Sequence, residues 1–209
     1  YPLDKKISIY ISIPFCITRC LYCSFPSNIL SKKKQKVDKY VKCLIRELKK
    51  VLEVVRNKNL EIDSIYIGGG TPSILEPYQL EKLLSYINEK INMEEIKEYT
   101  FEAGRPNTIN KEKLDILKKY SISRVCLNPQ TMDNNILENI NRDHSSNDII
   151  EKYKMIENYN FDSINMDLII GLPNQKFEIF KNTLKSIVDL SPDNITIHSL
   201  ALKRGSKLY

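Results

Sequence analysis

Cys16, Cys20 and Cys23 place three thiols within eight residues, spaced as C-x3-C-x2-C. A short loop of this kind can turn all three sulfurs toward one centre, which is the chemistry of a metal or cluster ligand set. Structural zinc takes four ligands in a tetrahedron. No neighbouring Cys or His supplies the fourth, although folding could bring in His144 or His198, so zinc stays open. A four-iron cluster suits three thiolates if one iron is left for a ligand that the chain does not provide. The other two cysteines, Cys43 and Cys126, lie inside apolar patterns and read as buried core residues. Crowded in this way, the five cysteines do not form a disulfide scaffold, and they point to a reducing compartment.

A second signal is Gly68-Gly69-Gly70-Thr71-Pro72. Glycines let backbone amide and carbonyl groups approach a ligand closely. The Lys-Ser/Thr that would make this a phosphate-binding loop is missing. A plain strand-to-helix turn is the bland alternative.

The elements that must position these residues follow from periodicity. Ile7-Ser8-Ile9-Tyr10-Ile11-Ser12-Ile13 alternates with period two, as a half-buried strand does, and Pro14 closes it. Further strands are expected at 62–67, 98–103, 124–128 (ending at Pro129), 164–170 and 195–200. Between them, apolar residues recur at three and four. Val37, Tyr40, Val41, Leu44, Ile45, Leu48 and Leu52 form one stripe, and Leu80, Leu83, Leu84 and Ile87 form the next. Strands separated by helices imply parallel βα units, arranged either as a doubly wound sheet or as a partial (β/α) barrel. Both architectures bind ligands at the C-terminal ends of their strands. Every unusual local sequence falls there. The cysteines follow the first strand and the glycines the second, Glu102 ends the third and Gln130 follows the fourth. Asp167 lies in the fifth, and Ala201 follows the sixth.

Composition narrows the class. At 42% hydrophobic and 28% charged, the 209 residues suit one folded domain. No apolar run reaches the ~18 residues of a membrane span, and the N-terminus shows no signal-peptide pattern, so a cytoplasmic location is expected. The net charge of +6 is moderate. Its one dense run, Lys32-Lys33-Lys34-Gln35-Lys36, reads as a solvated face or a contact for an acidic partner. It lacks the interleaved aromatics that stack bases, so no nucleic-acid partner is expected. The chain does not start with Met, and only nine residues follow the sixth strand. It therefore reads as a core domain, 1–209, cut from a longer protein.

The cysteine spacing with Tyr22 just before the third cysteine resembles the signature of radical S-adenosylmethionine (SAM) enzymes. In those proteins the amino and carboxylate groups of SAM occupy the open iron of a [4Fe–4S] cluster. More closely, Tyr10-x-x-Ile13-Pro14-Phe15-Cys16, Cys20-Leu21-Tyr22-Cys23-Ser24-Phe25, Ile140-Asn141-Arg142 and Met166-Asp167-Leu168-Ile169-x-Gly171-Leu172-Pro173 resemble the oxygen-independent coproporphyrinogen III dehydrogenase family. Among its HemN, HemZ and HemW types, Glu102-Ala103-Gly104-Arg105-Pro106 and Asn128-Pro129-Gln130-Thr131-Met132 look most like HemZ.

The resemblance implies a partial (β/α)6 TIM-like barrel closed by a further C-terminal domain. Cys16, Cys20 and Cys23 would hold the cluster. Tyr10 and the Tyr22 backbone would lie against SAM, and Gly69, Gly70 and Thr71 would hold its methionine end. Glu102, Gln130, Arg142, Asp167 and Ala201 would complete the pocket. It further implies oxidative decarboxylation of a porphyrinogen substrate, with a ferredoxin or flavodoxin as electron donor, or else a heme-binding chaperone on the same core. Two positions depart from the best-known dehydrogenase pattern. Ser12 stands where those enzymes carry His, and Phe25 where they carry a fourth Cys, as in a heme-trafficking branch.

Overall fold

The computed structural model describes residues 5–30 and 34–209. Strand β1 (Lys6–Ile13) leads into a two-residue strand β2 (Phe15–Cys16), which pairs with β3 (Asn28–Ile29). The cysteine loop is thus an excursion pinned at both ends. The chain continues through α1 (Lys34–Asn57), β4 (Glu61–Gly69), α2 (Pro77–Lys90), β5 (Glu98–Gly104), α3 (Lys111–Lys119) and β6 (Arg124–Gln130). It then forms α4 (Asn134–Asn139), α5 (Ser146–Glu157), β7 (Ser163–Ile170), α6 (Phe177–Leu190) and β8 (Asn194–Ser199).

Six of these strands form one sheet in the order β1-β4-β5-β6-β7-β8, every pair parallel. Each new strand is laid beside its predecessor on the same side. A doubly wound sheet would reverse direction at a switch point, and this order has none. Right-handed crossovers in one direction send the helices to one face. That face is the core, where Ile9, Ile11, Ile13, Ile65, Ile67, Phe101, Val125 and Met166 pack with helix residues such as Val41, Leu84 and Leu117. The opposite face is polar. Register aligns Tyr10 with Tyr66, Ser12 with Gly68, and Cys126 with Asn165.

The sheet is curled. Laid flat, six strands would span about 24 Å from first to last. Residues at the ends of β4, β5, β7 and β8 instead line one cavity with the cysteine loop. Beyond β8, the Lys207 amide donates to the Leu21 carbonyl at 2.9 Å, and Arg19 Nη2 donates to the Gly205 carbonyl at 2.6 Å. The architecture is the open, partial barrel that the sequence resemblance implied.

Three expectations need correction or limits. Cys126 is buried, but Cys43 is exposed, because it falls off the apolar stripe of α1 onto its solvent side. Strand β6 does not stop before Pro129 but runs on to Gln130, with a register shift between Leu127 and Gln130. The bulge accommodates a residue with no N–H to give to the ladder. Of the basic run, Lys32 and Lys33 lie outside the described residues. Among the described residues, no helix is long and apolar enough to cross a membrane.

Candidate functional site

Strand β1 ends under the loop that carries the three cysteines. The Asn28 amide donates to the Pro14 carbonyl at 2.7 Å and the Leu30 amide to the Cys16 carbonyl at 3.0 Å, fixing the loop's base. Its tip is held from α4, where the Leu21 amide donates to the Ile140 carbonyl at 3.1 Å. Cys16 and Cys20 are buried and Cys23 is partly so, and all three line a cavity of about 380 Å³ at the C-terminal ends of the strands.

Two buried guanidiniums back the cysteines. Arg105 follows β5 and is 3% exposed; its Nη2 donates to Cys20 Sγ at 3.0 Å and to the Thr18 carbonyl at 2.7 Å. Its Nη1 pairs with Asp143 at 3.2 Å. Arg142 is placed by the end of α4. There Asn141 turns to φ 62°, its amide donates to Glu138, and the Arg142 amide donates to Leu137. This is a Schellman cap with Asn in the left-handed position. It aims Arg142 inward, where Nη2 donates to the Tyr22 hydroxyl at 3.0 Å and Nη1 to the Asn128 carbonyl. Burial alone would push the Cys20 thiol up, but Arg142 and Arg105 outweigh it and hold Cys20 below the usual thiol range. Cys23 has less such help, and burial raises it.

The opposite wall is acidic. Glu102, on β5, accepts from the Tyr66 hydroxyl at 2.7 Å and from the Gly69 amide at 3.2 Å. Burial raises its pKa, the Tyr66 hydrogen bond opposes that, and the nearby Asp167 adds to it. Asp167, on β7, accepts from the side-chain amides of Asn165, at 2.6 Å, and Asn128. Thr196 donates to Asn165 Oδ1 at 2.9 Å, which fixes that amide's orientation. The cavity therefore has thiols and guanidiniums on one side and two carboxylates on the other. Such a field suits a zwitterionic ligand.

The glycines fill the narrow gap between β1 and the cavity. A Cβ on Gly70 would come within 2.6 Å of the Phe15 carbonyl and 3.0 Å of Cys16 Sγ. Gly69 sits at φ 115°, open to glycine alone at little cost. Gly70→Ala should force Cys16 from its place. The expected outcome is a chain of near-normal helical content whose iron uptake on anaerobic reconstitution falls severalfold, read by iron analysis alongside circular dichroism.

Most of the residues singled out by sequence meet at this cavity: Cys16, Cys20, Cys23, Tyr22, Gly69, Gly70, Thr71, Glu102, Gln130, Arg142 and Asp167 all line it. Two do not. Tyr10 lies on the same inner face, stacked on Tyr66 at 5.6 Å, with 59% of its surface exposed. Ala201 is exposed just beyond β8. Gln130 is held at φ 70°, strained for a non-glycine residue, with its buried Oε1 unpaired. Sequence reasoning assigned no role to Arg105, Tyr66, Asn128 or Asn165. Only the inward phase of the strands could have signalled the last three. His144 is buried behind the arginines with both ring nitrogens unpaired, and burial together with Arg142 and Arg105 lowers its pKa to about 4.

Among the described residues, no three of His, Cys, Asp or Glu converge to hold a single ion. A four-iron cluster takes its thiolates on separate irons, so it asks three cysteines to border one cavity, not to meet at one point. The donor set, the glycine cradle against Cys16 and the unpaired Gln130 oxygen all fit a cluster with a zwitterion beside it.

The sequence profile of the Radical SAM superfamily matches residues 10–187, and the chain belongs to that superfamily. Its members use a [4Fe–4S] cluster and SAM. Within the superfamily the chain falls among proteins of the HemN, HemZ and HemW kind. It is 37% identical over all of its length to the oxygen-independent coproporphyrinogen-III oxidase-like protein HemZ of Bacillus subtilis, covering 42% of that protein. Over 96% of its length it is 34% identical to the heme chaperone HemW of Lactococcus lactis, covering 51% of it. Its structure superposes on coproporphyrinogen III oxidase (HemN) of Escherichia coli with a TM-score of 0.84 at 28% identity, over 96% of this chain and 45% of that one. The chain thus spans about half the length of the relatives it matches.

Proposed function

We propose that this chain is the SAM-cleaving core of an enzyme of heme biosynthesis that oxidatively decarboxylates the propionates of coproporphyrinogen III to vinyl groups. The observation that carries the reading is the pairing of a three-cysteine wall with a two-carboxylate wall around one cavity, in a chain alike HemZ over its full length. Cys16, Cys20 and Cys23 hold the cluster. Gly69, Gly70 and Thr71 take the methionine end of SAM through backbone groups and a hydroxyl that donates to Cys16 Sγ at 3.5 Å. Arg142 faces the ligand's carboxylate. Glu102 and Asp167 face its ammonium and ribose hydroxyls, held in place by Tyr66, Asn128 and Asn165. Tyr22 and Gln130 complete the surround, while Tyr10, on the inner sheet face, and Ala201, just beyond β8, stand outside the cavity lining.

Held by Cys16, Cys20 and Cys23, the cluster would supply one electron for the reductive cleavage of SAM, and oxidation of a propionate to a vinyl group would release CO2 and pass one further electron to an acceptor. The chain's own part is to bind, to orient and to exclude water. The electron comes from a small carrier protein of the ferredoxin or flavodoxin type. A substrate with four carboxylates is compatible with a net charge of +6.

One observation favours a second reading. Phe25 lines the cavity, 60% exposed, where the best-known dehydrogenases carry a fourth cysteine, and HemW-type heme chaperones are among the relatives. Anaerobic turnover by the full-length protein separates the two. Decarboxylated porphyrinogen is expected if the enzyme reading holds. SAM cleavage without decarboxylation, together with stoichiometric heme binding in a spectral titration, would replace it with the chaperone.

A further inference from the structure

A second cavity, of about 500 Å³, lies between β3 and the start of α1, away from the SAM side. Its apolar floor is Phe15, Ile29 and Tyr40, and Lys36 and Lys39 stand at its rim. Ile29 is 51% exposed, high for an isoleucine beside a core strand. Phe15 and Tyr40 meet edge to face at 5.2 Å, and the Tyr40 hydroxyl donates to the Ser12 carbonyl at 2.7 Å, so the floor is fixed to β1.

The wall between this groove and the cluster site is one strand thick. Successive side chains of a strand point to opposite faces. In β2, Phe15 lines the groove while Cys16 lines the SAM cavity. Leu30, also in the groove, donates its amide to the Cys16 carbonyl at 3.0 Å. The groove is therefore joined through covalent and hydrogen bonds to a cluster ligand.

The surface beside it is strongly cationic. Lys36, Lys39, Lys42, Arg46, Lys49 and Lys50 are all exposed along α1, and the acidic residues of that helix are Asp38, beside Lys42, Glu47 and Glu53. At helical spacing these cations form one stripe running away from the groove. A solvated face would need neither an apolar floor nor a fixed path to Cys16.

We propose that this groove and the basic stripe of α1 are the docking surface for an acidic one-electron carrier protein. The inference rests on the SAM-cleaving reading above. The step is a single electron transfer. The carrier's redox centre is oxidised by one electron, the cluster is reduced by one, and no proton or bond need move at the interface. The apolar floor accepts the rim of the carrier's redox centre, and the lysines orient it by charge.

The test uses the full chain, reconstituted with iron and sulfide, and reduced flavodoxin as the acidic probe. Dithionite, a small reductant that needs no docking, is the control. The triple variant Lys36→Glu, Lys39→Glu, Arg46→Glu should lower the flavodoxin-driven rate of 5′-deoxyadenosine formation by about tenfold or more at low ionic strength. Its dithionite-driven rate should match wild type. Flavodoxin binding, measured by titration calorimetry on the oxidised carrier, should weaken by a similar factor. In wild type it should weaken as salt is raised. Lys36→Gln with Lys39→Gln should give a smaller loss of the same kind. Unchanged flavodoxin binding and rate in the triple variant would overturn the docking surface while leaving SAM cleavage intact. Wild-type failure with dithionite would instead remove the SAM reading, and the proposal with it.

Discussion

Replacing Cys20 by serine should abolish cluster assembly: iron bound after anaerobic reconstitution should fall from about four per chain to near zero. The thiol is 7% exposed, receives a hydrogen bond from Arg105 at 3.0 Å and is held below the ordinary thiol range despite its burial. Arg142 and Arg105 thus favour its thiolate, which is the form that binds iron. A serine hydroxyl fills much the same space but stays protonated and is a hard ligand, so the pocket survives and the bond does not. Cys126 gives the contrast. It is buried too, but burial pushes its thiol up to about 12 and it sits on the sheet. Cys126→Ser and Cys43→Ser should therefore leave iron uptake unchanged. Iron and sulfide analysis of the four chains decides the matter. A Cys20→Ser chain that keeps its full cluster would show that the three cysteines are not the ligand set.

Arg142→Ala should damage both the fold and the ligand site. Its guanidinium is 8% exposed and supports Tyr22, the Asn128 carbonyl and Cys20 together. Truncation leaves the Asn128 carbonyl without its donor and Cys20 with Arg105 alone as counter-charge, at about 2–4 kcal/mol. For a chain of this size, that is a fall in Tm of roughly 10 °C. Lysine should restore part of the stability but little of the SAM affinity, since an ammonium cannot reproduce the planar fork that spans two acceptors. Thermal melts read the first effect, and equilibrium dialysis of SAM on the reconstituted chain reads the second. Alanine with wild-type stability and SAM affinity would place Arg142 outside the site.

Part of this was legible in the sequence because it obeys local periodicity. The alternation of Ile9, Ile11 and Ile13 with Ser8, Tyr10 and Ser12 assigned β1 both its conformation and its two faces. The cysteine spacing and the glycine run marked the two loops that meet at the cavity. Other features depend on partners distant in sequence. Arg105 reads as a turn residue after Gly104, and only folding brings Thr18, Cys20 and Asp143 around it. Asn128 becomes meaningful only when β6 and β7 pair in parallel and bring Asp167, 39 residues further on, to its side chain. The short β2–β3 pairing carries no periodic signal at two residues per strand. Cys43 misled because α1 carries a wide apolar stripe, and a cysteine at its border can fall to either side. Periodicity left the sheet open between doubly wound and barrel, and the sequential strand order resolves it.

On the reading proposed above, this cavity holds a cluster that cleaves SAM. Anaerobic reconstitution with iron and sulfide, reduction with dithionite and incubation with SAM test it most directly, with 5′-deoxyadenosine measured by chromatography. The expected result is about four irons per chain and 5′-deoxyadenosine that depends on both reductant and SAM. A chain that takes up zinc and no iron, or that carries its full cluster yet leaves SAM intact, would contradict it.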